Sequence, residues 1–299
     1  MHKILIIVGP TASGKSALAV ELAKRFNGEI ISADSRQVYK GLDIGTGKVT
    51  KAEMQNIPHY LLDIVSPRTR FTAQDFVTHA KQAMQAIIQK GKLPIVVGGT
   101  GFYIDALTSR VFLPDVPPDS KFRTLMEKKT VEQLFALLEK KDPRRAKMMS
   151  TPSERNNKLR LIRALEVASA KKTPPVKKIE IAMNPLWIGI QPAESELQKK
   201  IQIRLVARLK RGMIKEAEHL HTKGISYKRM HELGLEYRSL ARFLEGIITR
   251  KELTKELTSD IYQYAKRQMT YWRRNKDIVW FSPSEGIELL QTVEKLLKD

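Results

Sequence analysis

Eight residues near the start of the chain, GPTASGKS from Gly9 to Ser16, have the types and spacing of a phosphate-binding loop. Glycines let the backbone approach a phosphate closely, and the amide hydrogens and the N-terminus of the next helix attract its negative charge. Lys15 can neutralise phosphate oxygens, and Ser16 can ligate Mg²⁺. The pattern G-x-x-x-x-G-K-S therefore predicts that the loop binds a phosphate chain, although it does not specify ATP.

Two further polar segments follow apolar runs. DSRQVY begins at Asp34 after the run EIISA, and GGTGFY begins at Gly98 after the run LPIVV. An acidic residue at the carboxyl edge of a parallel strand lies over the ligand crevice, so Asp34 could act as a base or hold Mg²⁺ through water. Thr100 offers a hydroxyl and a backbone amide in a tight glycine loop. A helix N-cap at Asp34 and an ordinary turn at Thr100 are the alternatives, and the Gly-rich stretch 43–48 is a weaker signal of the same kind.

Cations recur in two other segments. In NKLRLIRALE, residues 157–166, Arg160 and Arg163 are three positions apart and share one helix face. In YAKRQMTYWRR, residues 264–274, aromatic residues alternate with Lys and Arg, which suits phosphate contacts combined with base stacking. A solvated charged face in the first segment and core aromatics with exposed cations in the second would give the same patterns.

Alternating strands and helices are predicted to position these residues. The β-branched run 4–8 is typical of a buried parallel strand, and helical spacing follows over 15–26. Further strands are predicted at 29–33, 93–97 and 187–190, and helices over 73–89, 197–220, 238–244 and 254–274. This order predicts an α/β fold, in which a parallel sheet carries helices on both faces.

A Pro-rich segment, LPDVPPD at 113–119, interrupts the alternation. Residues 121–172 are almost entirely helix-forming, and a second break, KKTPPVKK, follows at 171–178. The sequence therefore predicts an α/β core from residues 1–112 and 184–299, with a helical C-terminal part, and a helical insertion of residues 113–183.

The chain is strongly basic, with 53 Lys and Arg against 32 Asp and Glu, a net charge of +21. Such an excess favours a polyanionic partner, either nucleic acid or an anionic membrane surface, although a solvated basic surface is the simpler alternative. The absence of cysteine excludes disulfides and thiolate metal sites. Since the chain has neither a signal peptide nor an apolar run of about 18 residues, we expect a cytoplasmic protein without a membrane span.

Seven motifs occur in order along most of the chain: GPTASGKS, DSRQVYKGLDIGTGK, IPHYLLDIVSP, FTAQDF, VVGGTGFYIDAL, RLIRALEV and YAKRQ. Together they resemble the tRNA dimethylallyltransferase family. The resemblance implies a P-loop NTPase-like fold and transfer of a dimethylallyl group from dimethylallyl diphosphate to the N6 amine of adenosine 37, beside the anticodon, with release of diphosphate. It also implies Mg²⁺ as the cofactor and the anticodon stem-loop of tRNA as the partner. We expect a monomer.

The resemblance also implies roles for individual residues. Asp34 would orient the adenine amine and act as general base, Thr100 would lie where base and isoprenoid meet, and Arg204 would help to hold the diphosphate. Ser16 would be the metal ligand. The residues implied for diphosphate binding are Gly9, Pro10, Thr11, Ala12, Ser13, Gly14, Lys15 and Ser16. Those implied for tRNA binding are Asp34, Ser35, Arg36, Gln37, Thr100, Arg123, Leu159, Arg160, Leu161, Ile162, Arg163, Lys266 and Arg267.

Three other functions share some of these features. A P-loop small-molecule kinase has the same loop but no use for the large positive charge. An adenylate isopentenyltransferase, acting on free adenine nucleotide, has the same core but does not need a basic insertion. A non-catalytic RNA-binding protein with a degenerate loop would not need to keep Lys15, Ser16 and Asp34.

Overall fold

The computed structural model describes residues 1–170 and 180–298. The chain divides into two compact units, one formed by Met1–Val111 with Ile179–Asp299 and the other by Phe112–Lys178. The first boundary lies next to the Pro-rich segment, whereas residues 180–183, predicted to be part of the insertion, belong to the first unit. They do so because Ala182 O accepts a hydrogen bond from His2 N and the next strand begins at Met183. The second break, KKTPPVKK at 171–178, lies outside the described residues.

A parallel sheet forms the centre of the first unit. Its strands are β1 His2–Val8, β2 Gly28–Ser32, β3 His59–Tyr60, β4 Leu93–Val97, β5 Met183–Ile190 and β6 Val279–Phe281. Within the described ranges they form one six-stranded sheet in the order β3-β2-β4-β1-β5-β6, and all pairings are parallel. The predicted α/β class is confirmed, and the short strands β3 and β6 extend the sheet beyond what the sequence predicted.

The helices alternate with these strands and then follow one another. They are α1 Lys15–Arg25, α2 Lys51–Met54, α3 Ala73–Gln89, α4 Gly101–Leu107, α5 Ser120–Glu127, α6 Val131–Lys141, α7 Pro143–Met148, α8 Pro152–Arg155, α9 Lys158–Ser169, α10 Glu194–Lys210, α11 Met213–Thr222, α12 Tyr227–Leu233, α13 Leu235–Leu244, α14 Arg250–Trp272 and α15 Gly286–Lys298. The single helix predicted over 197–220 is wrong. The chain breaks at Gly212, which has a left-handed φ of 99° and is the N-cap of α11.

Helices cover both faces of the sheet, as the continuous apolar strands require. Ile4, Ile6 and Val8 of β1 pack in one cluster with α3 and α4, whereas Leu5 and Ile7 pack in another with α1 and α15. A third cluster joins helices α10 to α14 to the segment after β2. This last cluster holds the C-terminal helices over the carboxyl ends of the strands, where the predicted site lies.

The second unit is helical and has its own core. Helices α5 to α9 bury Leu134 and Leu138 of α6 against Leu161 and Leu165 of α9. Side-chain caps fix its helix starts: Asp119, Thr130 and Asp142 each accept a hydrogen bond from a first-turn amide. The predicted helical character of this segment is confirmed.

Candidate active site

The loop from Gly9 to Ser16 connects β1 to α1 at the carboxyl edge of the sheet. A Cβ on Gly9 would lie 2.6 Å from Ile190 O, so only glycine fits there. Gly14 has a left-handed φ of 94° and open space around it. A glycine is therefore favoured at this position by the backbone conformation and not by close packing. Helix α1 begins at Lys15 without a side-chain cap, which leaves its first amides available to an anion. This geometry is compatible with the predicted binding of a phosphate.

Lys15 supplies a cation at this loop. Its Nζ donates to Pro10 O at 3.1 Å, which holds the side chain back along the loop. Burial lowers the pKa of Lys15 to about 8; the nearby charge of Asp34 opposes this shift, and that of Arg204 adds to it. The ammonium is thus mostly protonated at neutral pH and lies within electrostatic range of two other predicted site residues.

Asp34 follows β2 and organises the turn after it. Its Oδ1 accepts hydrogen bonds from the backbone amides of Arg36 at 2.8 Å and Gln37 at 3.3 Å. The Thr100 hydroxyl accepts from the Ser35 amide at 3.0 Å, while the Thr100 amide donates to Ala33 O. Asp34 therefore caps a turn and not a helix, and Thr100 joins the loop after β4 to the strand end that carries Asp34.

These elements surround a common cavity. A small cavity of about 80 Å³ shares part of its lining with a larger cavity of about 800 Å³. Lys15, Ser16 and Arg204 border both cavities. The smaller cavity is also lined by five of the other predicted site residues of the first unit: Thr11, Ala12, Asp34, Arg36 and Gln37. Thr100 is connected to it by the hydrogen bond from the Ser35 amide, which lies between the lining residues Asp34 and Arg36. Phosphate-binding loop, carboxylate and arginine thus face one space.

The Gly-rich stretch 43–48 forms one wall of this space and is not a second phosphate site. The Glu216 carboxylate accepts hydrogen bonds from the amides of residues 43–45, at 2.6 to 2.9 Å, and from the Tyr237 hydroxyl at 2.7 Å. A carboxylate of the chain itself therefore occupies the amides that an anion would use. Gly47 and Val49 then line both cavities.

The segment YAKRQ divides into exposed and buried residues on α14. Lys266 and Arg267 are exposed, and their cationic groups lie over the rings of Tyr262 and Tyr264 at 5.4 and 5.9 Å. Burial raises the pKa of Tyr264, which lines the small cavity, and the negative charge of Asp34 raises it further. Gln268 is only 5% exposed and also lines this cavity.

The sequence missed Gln268 and Glu216 as site residues. Gln268 ends the motif YAKRQ but was not assigned a role in it, and no local pattern marks Glu216. Gln268 forms hydrogen bonds with two loops that are distant in sequence, and Glu216 forms them with one such loop. Only the packing of the C-terminal helices reveals their contacts.

In the second unit, the predicted tRNA-binding residues have internal partners. Arg123 donates twice to the buried Glu166 carboxylate, at 2.9 and 2.8 Å, and Arg163 donates to the same carboxylate and to Val116 O. Arg160 is exposed and pairs with Glu154 at 2.7 Å. These arginines therefore form ion pairs within the second unit.

Leu161 and Ile162 correct the prediction in this segment. They are 0% and 3% exposed and belong to the core of the second unit, so their side chains do not reach the surface where an RNA would bind. They are buried because they lie on the face of α9 that packs against α6. Leu159, by contrast, is 75% exposed.

The described residues contain no group of three or more His, Cys, Asp or Glu side chains that could hold a metal ion. Ser16 and Asp34 nevertheless border the same small cavity and provide a hydroxyl and a carboxylate. Oxygen ligands of this kind, supplemented by substrate phosphates and water, suit Mg²⁺. The donor set is therefore compatible with a metal that binds together with a phosphate-containing substrate.

Comparison with known proteins places the chain in a family. The family model described as IPP transferase matches residues 37–275. The chain is 42% identical over 272 residues to tRNA dimethylallyltransferase 1 of Geotalea uraniireducens, covering 91% of this chain and 88% of that protein. It is 37% identical to tRNA dimethylallyltransferase of Leuconostoc citreum over the whole of both chains.

Two solved structures are similar over nearly the whole chain. The full-length tRNA isopentenylpyrophosphate transferase of Bacillus halodurans has a TM-score of 0.74 and 34% identity, covering 100% of this chain and 97% of that one. A eukaryotic dimethylallyltransferase described as acting on tRNA has a TM-score of 0.79 and 26% identity, covering 94% and 74%. With its P-loop NTPase-like sheet and these relatives, the chain belongs to the IPP transferase family.

Proposed function

We propose that this protein transfers a dimethylallyl group from dimethylallyl diphosphate to the N6 amine of adenosine 37 in tRNA and releases diphosphate. One observation carries the proposal: in a chain of the IPP transferase family, the phosphate-binding loop, Asp34 and Arg204 border one cavity. This juxtaposition supports the proposal of a leaving diphosphate beside a carboxylate that can accept a proton.

The chemistry depends on the leaving group. The lone pair of the exocyclic amine of adenine is delocalised into the ring, so the amine is a poor nucleophile. The allylic C1–O bond therefore has to break early, with the electron pair leaving on the diphosphate and positive charge developing on the allylic carbon. The loop amides, Lys15 and Arg204 stabilise the charge that builds on the diphosphate.

Asp34 completes the exchange of bonds. As the N6–C1 bond forms, the amine becomes cationic and gives up a proton, which the Asp34 carboxylate accepts. The amides of Arg36 and Gln37 fix the orientation of this carboxylate through Oδ1. Thr100 supports the same strand end through the Ser35 amide.

We include Mg²⁺ in the proposal as the cofactor. Ser16 would be its protein ligand, and the Asp34 carboxylate is the other candidate oxygen donor at the cavity. When bound, Mg²⁺ would neutralise part of the diphosphate charge.

The tRNA has to present its base in an accessible form. A base stacked in the anticodon loop must be turned out to reach the cavity, and a single-stranded loop lowers the cost of doing so. We propose that the turn Asp34–Gln37 with Thr100 contacts the target base. The exposed Lys266 and Arg267, with Leu159, Arg160 and the remaining polar groups of Arg123 and Arg163, would contact tRNA elsewhere. The basic excess of +21 supplies the electrostatic attraction.

The test uses labelled dimethylallyl diphosphate, incubated with the protein and separately with tRNA, AMP or ATP. Label in tRNA, at adenosine 37, is the expected result. Label in AMP or ATP would instead identify an adenylate isopentenyltransferase. Hydrolysis or transfer of the ATP γ-phosphate without prenylation would identify a kinase-like enzyme, and no turnover with intact tRNA binding would identify an RNA-binding protein.

The proposal includes a monomeric protein acting in the cytoplasm. Over the ranges that the structure describes, every helix is too short or too polar to cross a membrane. Sedimentation of the protein with and without tRNA tests the monomer.

A further inference from the structure

A buried amide lies between the two loops that the proposed function uses. Gln268 of α14 is 5% exposed. Its Oε1 accepts a hydrogen bond from the amide of Thr11, in the phosphate-binding loop, at 2.8 Å. Its Nε2 donates to the carbonyl of Gly99, in the loop after β4, at 3.0 Å. One side chain thus joins the ends of β1 and β4.

The loop after β4 is shaped to admit this amide. A Cβ on Gly99 would lie 1.9 Å from Gln268 Nε2, which is far inside contact distance. The φ of Gly99 is not left-handed, so close approach and not conformation requires the glycine. The neighbouring Gly98 is required for a different reason, since its Cβ would meet Ala33 O at 2.1 Å.

The contacts continue from Gln268 to the proposed base. Gly99 precedes Thr100, whose hydroxyl accepts from Ser35 N and whose amide donates to Ala33 O. Ser35 follows Asp34 directly. A continuous series of short hydrogen bonds and peptide links therefore runs from the diphosphate loop, through Gln268, to the carboxylate that accepts the proton.

The chemistry of the amide suits this position. One partner of Gln268 is a donor and the other an acceptor, so the side chain must accept at one end and donate at the other. A carboxylate accepts at both ends, and an apolar side chain does neither. Because Gln268 is only 5% exposed, the loss of either partner leaves a largely buried polar group unsatisfied.

We propose that Gln268 is a positioning residue, which sets the separation between the loop that holds the diphosphate and the strand end that holds Asp34 and the target base. The proposal rests on the proposed function. Attack on the allylic carbon requires the two reactants in a near-attack geometry, and a displacement of about 1 Å reduces the rate on the order of 10²-fold. Gln268 contributes through the loops and does not itself contact the reacting atoms.

The principal test is Gln268→Glu. In its ionised form the substituted side chain still accepts from Thr11 N but repels Gly99 O, whereas the protonated acid donates to Gly99 O as the amide does. We expect single-turnover transfer at neutral pH to fall on the order of 10²-fold, while dissociation constants for dimethylallyl diphosphate and tRNA change by less than about threefold. The ratio of variant to wild-type rate should recover as pH falls, since burial raises the pKa of a carboxyl group.

Gln263→Glu is the matched control. Gln263 lies on the same helix and is exposed, so the same change in charge should leave transfer within about twofold of wild type at every pH. A ratio for Gln268→Glu that is constant with pH, or a loss confined to substrate affinity, would overturn the positioning role.

A double-mutant cycle tests the contact without introducing a charge. Gly99→Ala places a methyl group against the amide, and Gln268→Ala removes the amide. If the two residues act through this contact, the double variant should be no slower than Gly99→Ala alone. Rate losses that multiply in the double variant would contradict the proposal, even if Gln268→Glu failed to fold. Absence of transfer by the wild-type protein would refute the proposed function instead, which keeps the two failures distinguishable.

Discussion

Lys15 in the phosphate-binding loop is predicted to bind the diphosphate and Arg123 in the insertion to bind tRNA, but the two cations have different surroundings in the structure. Lys15 donates to a backbone carbonyl and borders the cavity, with its charge close to that of Asp34. Arg123 is committed to a bidentate pair with the buried Glu166. In the first region the cation borders a cavity, whereas in the second it pairs with a buried carboxylate inside its own unit.

The difference shows what each kind of pattern encodes. A glycine loop between a strand and a helix specifies backbone geometry, and that geometry determines where the amides and Lys15 point. Helical spacing of arginines specifies only that they share a face. Whether a neighbouring helix supplies a carboxylate to that face depends on packing, which the spacing does not contain.

The largest effect is expected for Asp34→Asn. Asn is nearly isosteric and can still accept from the amides of Arg36 and Gln37, so the turn and the docking of the base should persist. It cannot take up the proton, and single-turnover transfer should fall about 10²–10⁴-fold, roughly 3–5 kcal/mol. Affinity for either substrate should change much less, as measured by equilibrium binding.

Mg²⁺ titration separates the two roles open to Asp34. If it is the base, the Mg²⁺ concentration giving half-maximal rate should stay the same in Asp34→Asn. If that concentration rises sharply and saturating Mg²⁺ restores the rate, Asp34 is a metal-site residue, and the assignment as base is wrong.

Lys15→Ala should produce the next largest effect, about 10²–10³-fold in transfer, because it removes one stabiliser of the leaving diphosphate. tRNA affinity should remain nearly intact, since Lys15 belongs to the loop proposed to bind the diphosphate.

Because burial lowers the pKa of Lys15 to about 8, the free wild-type enzyme loses this charge as pH rises above that value. kcat/KM for dimethylallyl diphosphate should therefore decline above about pH 8 in the wild type, and this decline should be absent in Lys15→Ala. A comparable loss of tRNA affinity in a filter-binding assay would contradict the separation of the two substrates.

In the insertion, Glu166→Gln should act on stability. Burial alone would raise the pKa of Glu166, but hydrogen bonds from Arg123 and Arg163 outweigh it and lower the pKa to about 2. The ion pairs therefore contribute fully to the stability of the unit at pH values above 4.5, the ordinary pKa of a glutamate. This contribution is lost as the pH falls from 4.5 towards 2. Removing the charge takes the counter-ion from two arginines that are about a third exposed, so solvent screens part of the loss, which should be about 2 kcal/mol, with the dependence on pH abolished.

Hydrogen exchange of amides in α5 and α9 measures this loss within the unit itself. The matched control is Glu154→Gln, which breaks the exposed pair with Arg160 and should cost less than about 1 kcal/mol. Equal effects of the two substitutions would mean that burial does not distinguish these pairs.

Much of the site could be predicted because its signals are local. The phosphate loop, Asp34 and Thr100 each follow a strand within a few residues, and the parallel sheet brings strand ends together. The motif YAKRQ includes Gln268, but its contacts could not be predicted, because its partners Thr11 and Gly99 are 257 and 169 residues away in sequence. The break at Gly212 was missed because apolar residues keep helical spacing on both sides of it. Leu161 and Ile162 were predicted to bind tRNA because they lie within the motif RLIRALEV. Their apolar side chains at helical spacing are instead typical of core residues.

The smallest effects should come from exposed cations, and they compare the two regions most directly. Arg267 on α14 is exposed and lies over the Tyr264 ring, whereas Arg160 on α9 is exposed but paired with Glu154.

Each phosphate contact releases a counterion on binding, so the slope of log affinity for tRNA against log salt concentration counts the contacts. Arg267→Ala should reduce this slope by about one. Arg160→Ala should reduce it by less, because tRNA must compete with Glu154 for the guanidinium, and Glu154→Gln should bring Arg160 up to the full contribution. Single-turnover rates at saturating tRNA should not change in any of these variants. If Arg160→Ala lowers the slope as much as Arg267→Ala does, internal pairing does not diminish an arginine's contact with tRNA, and the distinction between the two regions fails for exposed residues.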